Sequence, residues 1–134
     1  MDPLTFEELR KANIARTKKS FALHVDDWNA AEWGVALAGE VGELCNFIKK
    51  LRRNETADTV DIDTDIAHEI ADVAIYLDLL AAHFGLDLGE VVRTKFNITS
   101  FKRDCDICLH KLELSESPEI KRKKGGAYLS KPFT

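Results

Sequence analysis

The sequence predicts an all-α protein: a four-helix bundle built from helical hairpins, with a mostly irregular C-terminal tail. Three observations carry this reading. Apolar residues recur at three- and four-residue steps from Leu37 to Leu51 and again from Ile66 to Phe84, the spacing of a helical stripe. The connection between these stretches, Asn54 to Asp61, is short enough for an antiparallel hairpin. Prolines number three and β-branched runs are few. Residues 1–103 form the expected helical domain and 104–134 the tail.

Composition narrows the function classes. A chain of 134 residues makes one domain with a real core. A formal charge of −4 argues against a nucleic-acid polymer as the main partner. No apolar run approaches the roughly 20 residues of a membrane span. Met1-Asp2-Pro3 lacks the basic and apolar regions of a secretory leader, and three cysteines do not make a disulfide framework. The expected location is a reducing cytoplasm.

Asp2-Pro3, Thr5 and the acids Glu7 and Glu8 open a first helix that runs to about Phe21 or Leu23. Leu4, Leu9, Ile14 and Phe21 are its expected inward residues. Arg10, Lys11, Arg16, Lys18 and Lys19 form its solvated basic face, from which one side chain can face a phosphate. His24 to Asn29 is a linker in which Asp26 or Asp27 caps the next helix. Trp28 and Trp33 are core residues or the walls of a slot that stacks a nucleobase.

The second helix spans about Ala30 to Arg53 and ends in Lys49, Lys50, Arg52 and Arg53. Cations there suit the helix dipole. The cluster also lies about two turns beyond Glu43, within reach of a polyanionic ligand. Asp61, Asp63 and Asp65 do not make a calcium loop, because Ile66 and Asp72 stand where glycine and glutamate are required. Asp63 or Thr64 caps the third helix, which Gly85 stops after His83. The fourth runs from about Asp87 to Lys102, with Leu88, Val91, Val92, Phe96 and Ile98 as its apolar residues. Beyond it, Cys105, Cys108 and His110 look like half of a zinc site that lacks its second ligand pair.

The chemistry is concentrated in two acidic motifs, Glu40-x-x-Glu43 and Glu69-x-x-Asp72. Each acid directly precedes an apolar stripe residue: Val41, Leu44, Ile70 and Val73 in turn. One residue is a rotation of about 100°, so both pairs flank their stripe on the same side. Antiparallel packing of the two helices then converges four carboxylates at the edge of the interface. Such a cluster repels itself unless a counter-charge is present. All-oxygen donors suit a hard divalent cation, Mg²⁺ or Mn²⁺. Four solvated acids on amphipathic helices are the plainer reading of each motif alone.

The segment Trp33 to Leu44, with Gly39-Glu40-Val41-Gly42-Glu43, followed by His68-Glu69-Ile70-Ala71-Asp72 and then Leu86-Asp87-Leu88-Gly89-Glu90 and Lys95-Phe96-Asn97, resembles the MazG-like all-α nucleoside triphosphate pyrophosphohydrolases, a superfamily related to dUTPases and dCTPases. The resemblance covers about residues 28 to 101 and is nearest to short, single-domain or phage-type members. It implies a homodimer or homotetramer with the site near the subunit interface. It also implies Mg²⁺-dependent hydrolysis of a nucleoside triphosphate between the α- and β-phosphates, giving a monophosphate and pyrophosphate. Glu40, Glu43, Glu69 and Asp72 would be the catalytic metal ligands, and Lys95 and Asn97 would contact phosphate. Thr99 stands where some relatives complete a Lys-x-x-x-Asn pattern, and Lys50 where some dCTP-preferring relatives carry tryptophan. With Lys50 and Trp28 added, the candidate substrate-binding set is Lys95, Asn97, Trp28 and Lys50.

No P-loop pattern occurs, so the nucleotide is expected to be held by metal and side chains. A di-iron carboxylate enzyme would want Glu-x-x-His motifs, which neither acidic motif supplies. The remaining alternative is a non-catalytic helical module that senses nucleotides or binds a partner; the intact acid quartet argues against it.

Overall fold

The computed structural model describes residues 2–53 and 62–110. They form four α-helices and, among the described residues, no strand: α1 (Phe6–Phe21), α2 (Ala30–Arg52), α3 (Ile62–His83) and α4 (Leu88–Lys102). The all-α expectation therefore holds. None of the helices searched is long and apolar enough to cross a membrane. The 54–61 connection and residues 111–134 lie outside the described residues.

Local chemistry sets most of the helix ends. Thr5 caps α1: its hydroxyl accepts the Glu8 N–H at 3.1 Å, and the Glu8 carboxylate accepts the Thr5 N–H at 3.0 Å. Asn29, rather than Asp26 or Asp27, caps α2. Its Oδ1 accepts from Ala31 and Glu32, and Glu32 closes the reciprocal bond at 2.8 Å. Asp27 is engaged inside the linker, where it accepts the His24 N–H. Neither Asp63 nor Thr64 caps α3, because the helix already begins at Ile62; Asp63 and Asp65 lie in its first turn, where acids suit the dipole. Gly85, at φ +66°, ends α3 as expected. The Leu86 N–H reaches the Ala81 carbonyl and the Gly85 N–H reaches Ala82, the paired bonds of a Schellman motif. Asp87 then caps α4 through the Glu90 N–H.

The most extensive packing is α2 on α3, with α1 and α4 laid against α3 and against each other. The predicted single buried stripe divides into two rows. Leu37, Leu44 and Leu51 on α2, and Ile66, Val73 and Leu80 on α3, are half-buried. Val41, Ile48, Ile70, Leu77 and Phe84 are exposed. A stripe of three- and four-residue steps is two seven-residue rows side by side, and one neighbouring helix covers one of them. The buried apolar residues are Trp33 near the start of α2, Leu79 and Ala81 near the end of α3, and Leu88 at the start of α4.

The packing of α1 departs most from expectation. Leu4, Ile14 and Phe21 are exposed and Leu9 is half-buried; Asn13 and Thr17 face inward instead. The reason is Asp78, whose side chain is fully buried on α3. A buried carboxylate needs a partner, and α1 turns its polar side to provide one. Arg10 donates through Nε to Asp78 Oδ1 at 2.9 Å, and Asn13 donates through Nδ2 to Oδ2 at 3.0 Å. Arg10 thus leaves the predicted solvated basic face. Asn13 Nδ2 also reaches the Ile75 carbonyl at 3.2 Å.

Asp78→Ala strands the Arg10 guanidinium and the Asn13 amide in a partly buried site. It is expected to cost about 2–4 kcal/mol, the scale of breaking a buried charged pair, measured by urea unfolding. A loss under about 0.5 kcal/mol, the level of an ordinary surface substitution, would show that α1 docks without this clasp.

Candidate functional site

The site is built on α2 and α3. Their antiparallel arrangement places the end of α3 beside the start of α2: the Val25 carbonyl, just ahead of α2, takes the Trp33 indole N–H at 2.8 Å and lies 3.2 Å from His83 Nδ1. Trp33 and Leu79 line the same cavity. The same register brings Glu40 to Asp72 two turns further along α2.

The charges of the other three predicted acids reach Glu40. The Glu40 carboxyl is pushed above the ordinary carboxylate range, first by burial and then by the charges of Asp72, Glu43 and Glu69, in that order. Asp72 outranks Glu43, one turn away on the same helix, as expected if Asp72 stands across the interface from Glu40. Glu40 and Glu69 are half-buried, and Glu43 and Asp72 are exposed. Among the described residues, no three His, Cys, Asp or Glu side chains are gathered tightly enough to hold an ion. The donor chemistry fits a hard cation: four carboxylates from two helices, one of them driven towards protonation by burial and then by the charges of the others.

Between α1, the linker and the α2–α3 pair lies a cavity of about 400 Å³. Its aromatic walls are Phe21, Trp28, Trp33 and Tyr76. The two indoles lie 4.7 Å apart at 51°. Trp33 is buried and fixed by the Val25 carbonyl, whereas Trp28 is half-buried. Tyr76 follows Asp72 by one turn, so the cavity and the acid cluster share one face of α3. The linker that carries Leu23 and Trp28 into the wall starts at Ala22, held left-handed at φ +49°, a conformation that costs a non-glycine residue about 1 kcal/mol or more.

The other predicted contacts are not joined to this site within one chain. Lys50 is exposed near the end of α2. Lys95 is exposed on α4, which makes no packing contact with α2 among the described residues. Asn97 is engaged with the segment after α4: its Nδ2 donates to the Leu109 carbonyl at 2.9 Å, and its Oδ1 accepts the Leu109 N–H at 2.8 Å. Cys105, Cys108 and His110 are exposed along that segment. Arg16 is a cavity residue that the sequence left on a generic basic face. Its signal is local, because it lies one turn beyond Asn13 and one residue before the buried Thr17.

No protein-family model, curated protein or solved structure matches the chain.

The Glu40 shift makes a signed prediction. A carboxyl that binds its proton more tightly folded than unfolded costs stability while charged, so stability rises as pH falls from neutral through the raised pKa. In chelator-containing buffer, Glu40→Gln is expected to raise the thermal midpoint at neutral pH. The gain should be below about 1 kcal/mol, the scale of screened charge interactions, and should fade in the acidic carboxylate range. Circular dichroism melts across pH measure this. A lower midpoint at neutral pH would show that Glu40 is held by attraction.

Proposed function

We propose that the protein is a MazG-like nucleoside triphosphate pyrophosphohydrolase that cleaves a triphosphate to a monophosphate and pyrophosphate with Mg²⁺ or Mn²⁺ bound by Glu40, Glu43, Glu69 and Asp72. The observation that carries this reading is the adjacency of two unlike features. Glu40 feels the charges of three other acids, and Tyr76 of the aromatic cavity lies one helical turn beyond Asp72 on α3. A nucleotide matches that pairing, since its base stacks on aromatic faces and its phosphates require cationic neutralisation.

When bound, the cation supplies charge neutralisation to the phosphate chain, the main requirement of phosphoryl and nucleotidyl transfer. The chain's own residues do the rest. Trp28, Trp33 and Tyr76 exclude water from the base and orient it, which fixes the distance from the base to the α–β phosphate bridge. A water molecule attacks the α-phosphorus, its bond to the bridging oxygen breaks, and pyrophosphate leaves. Glu40 or Glu43 accepts the water's proton. Lys95, as the resemblance implies, and Lys50, from the basic end of α2, supply the remaining positive charge to the phosphates. Asn97 reaches a phosphate only after releasing Leu109. Pool cleaning or balancing is the role such an activity serves, in a cytoplasmic setting.

The exposed row Val41, Ile48, Ile70, Leu77 and Phe84 is accounted for by a second copy of the chain. A homodimer or homotetramer buries this row and offers its neighbour the α4 cations that one chain holds away from its own acids.

Two outcomes test this reading. Glu40→Gln and Glu69→Gln are each expected to lower the hydrolysis rate at least about 100-fold, the scale of losing an essential electrostatic group, with the helical circular-dichroism signal intact. An unchanged rate would sink the site assignment. Leu77→Glu is expected to shift the oligomer towards monomer in light scattering after size exclusion; an unaltered mass would place the interface elsewhere.

A further inference from the structure

Arg16 carries the one formal charge among the described residues that line the aromatic cavity. It is exposed as a residue, so it stands at the cavity mouth. It is also held in place. One guanidinium nitrogen donates to Asn13 Oδ1 at 3.2 Å, and Asn13 is buried and bonded through its amide nitrogen to Asp78 and the Ile75 carbonyl. The clasp that docks α1 therefore also holds Arg16, which lines the same cavity as Trp28 and Tyr76.

We propose that Arg16 is a specificity-determining residue that reads the edge of the base in this cavity and selects bases presenting two adjacent hydrogen-bond acceptors. The proposal rests on the nucleotide reading above. A guanidinium has five N–H donors and no acceptor. With one donor taken by Asn13, a fork remains for a flat partner. Guanine presents O6 and N7 side by side, the pair that arginine takes bidentately, and cytosine presents O2 and N3 side by side. Adenine sets its amino donor beside N1 and N7 and leaves N3 as a lone acceptor, and uracil and thymine place an N–H between their two carbonyls. The fork meets two acceptors in the first pair of bases and leaves an N–H facing a donor in the others. The acid cluster, where the phosphates are placed, is a separate group of side chains.

The test uses the full chain and free nucleosides, which carry no phosphate and need no cation. Guanosine, cytidine, adenosine and uridine are titrated against wild type, Arg16→Met and Arg16→Lys, with indole fluorescence as the readout and circular dichroism as the folding control. In wild type, guanosine or cytidine is expected to bind at least about 10-fold more tightly than adenosine and uridine, the scale of one bidentate contact. Arg16→Met should bring the bases within about 3-fold, and Arg16→Lys, which keeps the charge without the fork, should restore only part of the difference. Equal affinities in wild type, an unchanged ranking in Arg16→Met, full recovery by Arg16→Lys or no nucleoside binding would each overturn the proposal. Base selection without triphosphate hydrolysis would leave it standing and remove the hydrolase reading. Hydrolysis with no Arg16-dependent selection would do the reverse.

Discussion

The antiparallel register of α2 on α3 governs the rest of the molecule. It sets Trp33 and Leu79 around one cavity at one end of the hairpin and brings the Asp72 charge to bear on Glu40 further along. A shift of one residue would rotate each acid by about 100° and scatter the quartet around the two helices. The register is held by the half-buried row that includes Leu37, Leu44, Val73 and Leu80, and by the Val25 carbonyl, which ties the start of α2 to the end of α3. The same packing that stabilises the hairpin drives like charges together. Part of its stability is given up to Glu40, whose carboxyl is strained towards protonation by burial and by its acid neighbours.

The second organising interaction is the buried Asp78. It recruits Arg10 and Asn13 from α1, so a polar contact does the docking that an apolar face would usually do. Specificity follows from this choice. An apolar contact can slide by a turn with little penalty, whereas a fully buried carboxylate with directed donors accepts one alignment. That alignment closes the cavity with Thr17 and Phe21 and presents Arg16 at its mouth. Fold and candidate recognition thus share one hydrogen-bonded chain, from Asp78 through Asn13 to Arg16.

Much of this was legible in the sequence. The four helices and the Gly85 stop follow from local periodicity and turn chemistry, and the matched offset of Glu40, Glu43, Glu69 and Asp72 follows from rotation per residue. What periodicity hides is which neighbour each row meets. Val41 and Leu44 are equivalent in a hydropathy pattern, yet one is exposed and the other half-buried. The α1 face was misread for a related reason. Leu4, Ile14 and Phe21 made the stronger apolar signal, but the demand came from a distant residue, Asp78, and a helix satisfies a buried charge before it covers a leucine. The available clue was an aspartate inside the apolar run Tyr76-Leu77-Asp78-Leu79-Leu80. The α2 cap was missed because Asp26, Asp27 and Asn29 are all good caps; the capping box with Glu32 selects Asn29.

The central claim is that the acid quartet and the aromatic cavity together cleave a nucleotide at one particular bond. The most direct measurement is phosphorus NMR of the products formed from each common nucleoside triphosphate in the presence of Mg²⁺ or Mn²⁺, with chelator as control. The account predicts cation-dependent appearance of pyrophosphate and nucleoside monophosphate in equal amounts for at least one base. Release of orthophosphate with a nucleoside diphosphate, or triphosphates left intact by folded, oligomeric protein, would contradict it.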